Sequence, residues 1–174
     1  WCKGQRGRKA SRRLNGCQRR LRRLDTGVCA GSAIIECMIE QRIEQHFIDS
    51  ADLKYQAAQV LSKPISAAIS AILASVTSGG KVLACGNGGG AASAQHFAAK
   101  FVVGYERERP ELAAMALATD ASIVTAIANE FDFKAVFAKQ VRAFGGAGDV
   151  LLAISSSGNS ANVLAAIEAA HERD

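Results

Sequence analysis

The stretch KVLACGNGGGAASAQHFAAKFVV, residues 81–103, decides the fold. Its first six residues are mostly apolar and end at a glycine, which predicts a buried strand over residues 81–86. The glycine loop, GNGGG at residues 86–90, follows, and the pattern of residues 91–103 then predicts a helix. A strand, a tight turn and a helix in this order are typical of the unit from which helix-covered parallel sheets are built.

The remainder of the chain repeats this alternation of short apolar runs and helical patterns. The further elements predicted are strands over residues 113–118 and 149–155 and helices over residues 121–129, 133–145 and 160–174. Together they predict an α/β fold with a parallel sheet flanked by helices. Three parallel strands make a thin sheet, and another strand is expected where the chain ends, so we interpret the fold as truncated after its third strand and the following helix.

Two amphipathic helices are predicted ahead of the first strand, within residues 38–78. Ile39, Ile43 and Phe47 recur at a spacing that places them on one face of the first helix. Pro64 is expected to open the second helix, because proline fits the first turn of a helix better than its interior. Its buried side is predicted to carry Ile65, Ile69, Ile72, Leu73 and Val76.

Charge divides the chain into two parts. The basic lead, residues 1–37, holds ten of the 21 basic and two of the 16 acidic residues, a net charge of +8, which leaves −3 for residues 38–174. Such a basic run can bind nucleic acid or an anionic surface. The alternative, which we favour, is that Met38 is the start and that the lead is upstream or disordered sequence. No apolar run approaches the roughly 20 residues of a membrane span.

Cysteine usage points to a reducing compartment. Four of the five cysteines, Cys2, Cys17, Cys29 and Cys37, fall in the basic lead at spacings that match no zinc pattern. Cys85 is the one cysteine in residues 38–174. We therefore expect a cytoplasmic protein without structural disulfides in its domain.

Two loops at the carboxyl ends of predicted strands are candidates for ligand binding, because open parallel sheets bind ligands at that edge. The glycine loop lets the backbone approach an anion at a helix start, or it is simply a tight turn. The serine loop, SSSGNS at residues 155–160, offers four hydroxyl groups before the last helix. Capping by Ser160 or Asn159 needs only one hydroxyl, so we interpret the serine loop as a phosphate site.

His96 and Lys100 lie four residues apart and are expected to share one face of the helix over residues 91–103. A single histidine in a helix is often structural, and its place after the glycine loop leaves a functional role equally open. His46 and His171 have no such context and are interpreted as surface residues.

At these residues the sequence resembles the SIS (sugar isomerase) domain family and, within it, the bacterial phosphoheptose isomerases. The matching segments are KVLACGNGG, AQHFAAKFV, RERPELAAMAL, TAIANEF, FAKQVRAFG and GDVLLAISSSGNSANV. They extend from about residue 38 to residue 174. The resemblance implies a flavodoxin-like fold, a homotetramer and the conversion of sedoheptulose 7-phosphate to a glycero-manno-heptose 7-phosphate, a precursor of lipopolysaccharide heptose.

The resemblance also implies roles for individual residues. Sugar contacts are implied for Asn87, Gly88, Gly89, Asn129 and Glu130, phosphate contacts for Ser155, Ser156, Ser157 and Ser160, and zinc ligation for His96. Glu130 stands where the family has aspartate, Gly90 where serine is common, and Lys100 where it has the glutamate that acts as base and touches the metal. Zinc is therefore implied by the family, but Lys100 repels a cation and replaces the catalytic glutamate. The family's remaining metal and acid–base residues, a glutamine and a histidine, are expected on a helix beyond Asp174, so no catalytic residue is intact in this chain.

Two functions remain open on this reading. The first is an isomerase of this family, with Lys100 either an obstacle to catalysis or a tolerated change. The second is a non-catalytic tetrameric scaffold that binds the replication initiator DnaA, as a sister branch of the family does. That branch also lacks the glutamate, but its phosphate loop is altered, whereas the serine loop here matches completely.

Overall fold

The computed structural model of the chain describes residues 29–173, with side chains from residue 35 onward. Most of the basic lead, including Cys2 and Cys17, lies outside the described residues, and so do the predictions of nucleic-acid binding and disorder made for it. The chain divides into two compact units, Trp1–Ser62 and Lys63–Asp174. The second contains the sheet and the helices that cover it.

The described elements confirm the predicted alternation of helices and strands. In chain order they are helix α1 (Cys29–Thr77), strand β1 (Val82–Gly86), helix α2 (Gly89–Val103), strand β2 (Ala114–Ala116), helix α3 (Ala121–Glu130), a 3-10 turn (Phe133–Ala135), helix α4 (Val136–Phe144), strand β3 (Val150–Ile154) and helix α5 (Ala161–His171). The sheet order is β2-β1-β3, with both pairings parallel. Because β1 is central, both candidate loops follow neighbouring strands and leave the same edge of the sheet.

Two predicted elements differ in extent. Strand β2 is shorter than residues 113–118, since its ladder with β1 covers only three residue pairs. The helix predicted over residues 133–145 begins as a 3-10 turn. The carboxylate of Asp132 accepts a hydrogen bond from the backbone N–H of Lys134 at 2.8 Å and fixes that tight first turn.

The prediction of two N-terminal helices is wrong. Helix α1 runs without a break from Cys29 to Thr77 and contains Pro64 in its interior. A proline removes one backbone hydrogen bond and crowds the preceding turn, which favours but does not force a helix end. Here Ala, Leu, Ser and Ile continue the helical pattern on both sides of Pro64, and the helix extends through it.

The predicted burial of the apolar face of α1 is wrong for Ile65, Ile69 and Leu73, which are exposed, while Ile72 and Val76 are half-buried. Ile65 is 53% exposed, Ile69 59% and Leu73 58%, and these three residues are hereafter the apolar stripe. Further towards the start of α1, Ile39 and Phe47 are exposed as well. Within the described residues no other element covers these side chains, so the apolar periodicity of α1 predicted a contact surface rather than an internal core.

The segment Ile35–Thr77 of α1 is also long and apolar enough to cross a membrane, with a mean hydropathy of 1.5 over its most apolar window. This differs from the prediction that no apolar run approaches the length of a membrane span. A single helix of this kind is weak support for a membrane span, since a contact helix of a soluble protein meets the same criteria.

The sheet separates a large core from a small one. On one face, Leu83 and Cys85 of β1 pack with α4 and α5, where Phe137, Val141 and Val163 are buried. On the other face, four buried alanines allow α2 to lie close to the sheet; they are Ala84, Ala94, Ala98 and Ala116. The close approach of α2 brings its amino end, and the glycine loop before it, against the carboxyl end of β3.

The cysteine of the domain and the described cysteine of the basic lead are in different states. Cys85 is a free thiol buried in the larger core, and burial raises its pKa to about 11. Such a thiol is neutral and inert at physiological pH. Cys37, in the basic lead, is disulfide-bonded and lies outside the domain for which reduced cysteines were expected, whereas Cys85, within that domain, is free.

Candidate functional site

The serine loop gathers three hydroxyl groups at the carboxyl end of β3. The Oγ of Ser155 lies 3.4 Å from that of Ser157 and 3.2 Å from that of Ser160. Backbone N–H groups within the loop also donate to Ser155 and Ser157, each at 3.2 Å. The hydroxyls therefore already converge in the absence of a ligand, and each can exchange a weak contact within the loop for a phosphate oxygen.

Ser160 occupies the N-cap position of α5, but its side chain makes no capping hydrogen bond. Its hydroxyl lies instead towards Ser155. The amino end of α5 thus keeps unpaired N–H groups and a partial positive charge beside the hydroxyl cluster. Ordinary side-chain capping by Ser160 does not explain the serine loop, and this arrangement favours an anion at that point.

The glycine loop lies directly against the end of β3. A β-carbon at Gly86 would come within 2.8 Å of the Ile154 carbonyl oxygen, and one at Gly90 within 3.1 Å. Gly88 has a φ of +52°, which disfavours any side chain there. Packing and backbone conformation therefore account for these three glycines, while a β-carbon at Gly89 would meet open space.

A pair of asparagines joins the two loops. The Nδ2 of Asn87 donates to the Oδ1 of Asn162 at 2.8 Å, and the Nδ2 of Asn162 donates to the Oδ1 of Asn87 at 2.8 Å. Asn162, in the first turn of α5, is 3% exposed, whereas Asn87 is exposed. We call Asn87 and Asn162 the amide pair.

His96 and Lys100 lie on α2, as predicted, but they have different surroundings. His96 is exposed, while Lys100 is half-buried. The Nζ of Lys100 lies 5.5 Å from the centre of the Tyr105 ring, a cation–π contact. The carbonyl of Lys100 accepts a hydrogen bond from Arg109 at 2.7 Å. Lys100 is thus engaged by the segment that follows α2.

Asn129 and Glu130 end helix α3, and both are exposed. Within the described residues no hydrogen bond joins either of them to the serine loop or the glycine loop. The structure therefore brings Asn87, the glycines and the serines together at one edge of the sheet. Sugar contacts by Asn129 and Glu130 remain predictions.

The described residues do not form a zinc site. No group of three or more His, Cys, Asp or Glu side chains converges among residues 35–173. His96 is the one candidate ligand near the glycine loop, and Lys100 adds a positive charge one turn further on. An ammonium group offers donors only and cannot ligate a cation. Zinc ligation is thus not supported by the residues that the structure describes.

Comparison with known proteins decides the family. The SIS domain profile matches residues 45–174. The phosphoheptose isomerase of Methylibium petroleiphilum is 67% identical over 137 residues, which are 79% of this chain and 68% of that protein. The chain belongs to the SIS domain family. Within it, the phosphoheptose isomerase of Aromatoleum aromaticum is 58% identical over 133 residues, covering 76% of this chain and 67% of that protein.

Solved structures place the chain in the same branch. The phosphoheptose isomerase of Neisseria gonorrhoeae superposes with a TM-score of 0.73 at 51% identity, over 78% of this chain and 71% of that one. That of Francisella tularensis gives 0.73 at 42% identity, over 76% and 70%. The predicted family and fold are confirmed, and the chain spans about two thirds of the length of its curated relatives. These relatives favour the isomerase branch over the DnaA-binding scaffold.

The sequence analysis missed Asn162. It stands two residues after Ser160, in the helical pattern ANVLAAIEAA, whose one other polar residue is Glu168. A polar residue at a position that periodicity assigns to the core is a signal for a buried hydrogen-bond partner. That signal was present in the sequence, but the partner, 75 residues away, was not identifiable from it.

Proposed function

We propose that this chain binds a sugar phosphate at the carboxyl edge of its sheet, with the phosphate on the serine loop and the sugar beside the glycine loop. The observation that carries the proposal is the cluster of Ser155, Ser157 and Ser160 hydroxyls at the uncapped amino end of α5. Hydroxyl donors and a helix amino end together bind a phosphate without a lysine.

The substrate that we propose is sedoheptulose 7-phosphate, and the family reaction converts it to glycero-manno-heptose 7-phosphate for lipopolysaccharide heptose. Support comes from the 67% and 58% identity to phosphoheptose isomerases. In this assignment Asn87 and the backbone at Gly88 and Gly89 contact the sugar. Ser156, which is exposed, adds a fourth hydroxyl to the phosphate site.

Binding is better supported than proton transfer. Isomerisation between a ketose and an aldose moves a proton between neighbouring carbons and needs a positioned base. At the position where the family has glutamate, Lys100 supplies a cation that is engaged with Tyr105. The described residues thus provide the phosphate and sugar contacts of the family reaction but not its base.

Calorimetry with Ser155→Ala tests the phosphate site. Ser155 contacts both other hydroxyls, so its loss is expected to weaken sedoheptulose 7-phosphate binding about tenfold. The matched control is Ser78→Ala, an exposed serine in the turn between α1 and β1, at the opposite edge of the sheet. Sedoheptulose without the phosphate should bind poorly to every variant. Unchanged affinity in Ser155→Ala, or equal affinity for the free sugar, would contradict the phosphate assignment.

Lys100→Glu tests why a base is missing. If the lysine is the obstacle, the glutamate should raise the zinc affinity at His96 and the isomerase turnover above those of the parent chain. Lys100→Gln is the control, since it removes the charge without supplying a carboxylate. Equal zinc affinity and turnover in the parent, Lys100→Gln and Lys100→Glu would show that Lys100 is not what limits catalysis.

We further propose that α1 assembles the chain into a homotetramer in the cytoplasm, with the apolar stripe covered by other copies. Three exposed aliphatic side chains at four-residue spacing on one helix face support this. Ile69→Lys should give smaller particles by light scattering, whereas Val103→Lys, on another exposed apolar residue, should not. If the protein instead sediments with membranes and needs detergent, α1 is a membrane helix and the assembly proposal fails.

A further inference from the structure

The amide pair closes a ring between the two loops of the site. Each amide donates once and accepts once, and both distances are 2.8 Å. A change in the orientation of one amide alone would set N–H against N–H and oxygen against oxygen, and would break both hydrogen bonds. The orientation of Asn87 is therefore coupled to that of Asn162.

Asn162 is the fixed partner of the pair. It is 3% exposed and lies in a helix whose neighbouring residue, Val163, is also buried. Burial of an amide without hydrogen bonds costs free energy, so Asn162 is strongly held in the paired orientation. Asn87 is exposed and lies in a loop. Asn162 consequently restrains Asn87 rather than the reverse.

The backbone at Gly86 and Ile154 fixes the distance between the two segments that the amide pair links. A β-carbon added at Gly86 would lie 2.8 Å from the carbonyl oxygen of Ile154. The ends of β1 and β3 are therefore very close to each other. Asn87 directly follows Gly86, and the serine loop directly follows Ile154. The amide pair thus links two segments whose starting points already have a fixed separation.

Asn87 retains hydrogen-bonding capacity outside the ring. A primary amide has two N–H donors and an oxygen with two lone pairs, and the ring uses one of each. The remaining N–H and lone pair belong to an exposed side chain that is hydrogen-bonded to the first turn of α5, the helix whose amino end carries the hydroxyl cluster. They suit the hydroxyl groups of a sugar, which both donate and accept.

We infer that Asn162 is a positioning residue for sugar recognition. It does not contact the ligand but holds the Asn87 amide in one orientation at a fixed distance from the serine loop. The inference rests on the proposed sugar-phosphate function. It assigns the phosphate to the serine loop alone and part of the preference for the attached sugar to the amide pair.

Binding of two probes to the complete chain tests this inference. Sedoheptulose 7-phosphate and inorganic phosphate are titrated into the parent chain and into Asn162→Leu, which keeps the approximate volume but cannot form hydrogen bonds. We expect affinity for the sugar phosphate to fall about tenfold and affinity for inorganic phosphate to change less than about twofold. Gln140→Leu is the matched control, because it removes another buried amide, 4% exposed, that binds the carbonyls of Leu117 and Val136.

The outcomes separate this inference from the function beneath it. If Asn162→Leu keeps the parent's preference for the sugar phosphate, the inference is overturned while the function stands. If Gln140→Leu loses the same preference, the effect is general destabilisation and the inference is likewise overturned. If the parent binds neither probe, the proposed function fails and the ligand role of Asn162 fails with it.

A second readout covers variants that fold poorly. Asn162→Ser keeps a small polar residue at the helix start but cannot close the ring. In the free parent chain, one side-chain N–H of Asn87 should exchange slowly with water in NMR spectra, and in Asn162→Ser both should exchange rapidly. Rapid exchange of both Asn87 side-chain N–H protons in the parent chain would overturn the inference without any ligand.

Discussion

Strands β1 and β3 are joined at both ends, but by different chemistry. At the amino edge, Asp149 accepts hydrogen bonds from the backbone N–H of Lys81 at 2.8 Å, from its Nζ at 2.6 Å and from the N–H of Gly146 at 2.8 Å. At the carboxyl edge, the neutral amide pair makes the connection. We call Lys81, Gly146 and Asp149 the aspartate cluster.

The difference shows which edge is free to bind an anion. The aspartate cluster uses a carboxylate to satisfy nearby donors, and a carboxylate would repel a phosphate. The amide pair holds the opposite edge together without adding charge. The glycine loop and the serine loop contain no charged residue, so no carboxylate of these two loops opposes an anion at the amino end of α5. Structural connection and ligand binding can therefore share the carboxyl edge.

The largest expected effect breaks the carboxyl edge itself. Gly86→Val would place side-chain atoms against the backbone of Ile154 and Gly90, both within 2.8 Å of the new β-carbon. We expect a loss of about 3 kcal/mol or more in the free energy of unfolding, measured by urea denaturation. In Gly89→Ala the β-carbon meets open space in the first turn of α2, so stability should change by less than about 1 kcal/mol. Equal losses in the two variants would disprove the close approach.

Next in size is the loss of either connection. Asp149→Ala leaves the donors of the aspartate cluster without their acceptor, and we expect it to cost about 2–3 kcal/mol. Asn162→Leu should cost less, about 1–2 kcal/mol, because the freed amide of exposed Asn87 can bind water. Urea denaturation of both variants gives the order. A larger loss in Asn162→Leu would mean that the neutral connection dominates.

The pH dependence of stability also distinguishes the aspartate cluster from the amide pair. Partial burial tends to raise the pKa of Asp149, but hydrogen bonds from Lys81 and Gly146 outweigh it and hold the pKa below its usual value of 3.8. A lowered folded-state pKa stabilises the protein above the unfolded-state value, and this contribution is lost as pH falls through the folded-state pKa. The stability advantage of the parent over Asp149→Asn should therefore be constant near neutral pH and shrink below about pH 4. The stability difference between the parent chain and Asn162→Leu should not shrink in acid in this way, since the amide pair contains no carboxylate.

Sequence patterns predicted the sheet better than the contacts of its helices. The apolar runs VLACG and VLLAI were predicted as strands and form β1, which is buried, and β3, which is half-buried, and the serine loop was placed correctly between β3 and α5. The amide pair was not predictable, because hydrogen bonds across 75 residues leave no local periodicity. Likewise, the spacing of Ile65, Ile69 and Leu73 specified an apolar face but not whether its cover lies in the same chain.

Pro64 and Ser160 show two ways in which the preference of a residue type does not predict what that residue does in the structure. A proline is a strong signal for a helix boundary, yet α1 continues through it, because one lost hydrogen bond is small beside the many that remain. Ser160 occupies the predicted cap position, but its hydroxyl contacts Ser155 instead. The preference of a residue type thus predicted the helix position of Ser160 but not that of Pro64, and neighbouring groups determined what each residue does.

The smallest effect is expected at an ion pair outside the aspartate cluster. Arg142 contacts Glu172 through Nε at 2.8 Å and Nη2 at 3.1 Å, slightly longer than the 2.6 Å between Lys81 Nζ and Asp149, and both side chains are about half exposed. Water and salt screen such a pair, so Arg142→Ala should lower the melting temperature only slightly, and the difference should vanish at high salt. Asp149→Ala, measured in parallel, should keep its deficit at high salt, because two of its three lost hydrogen bonds come from backbone N–H groups. A salt-sensitive deficit in Asp149→Ala would mean that charge attraction, and not the satisfaction of backbone donors, joins β1 and β3 at the amino edge.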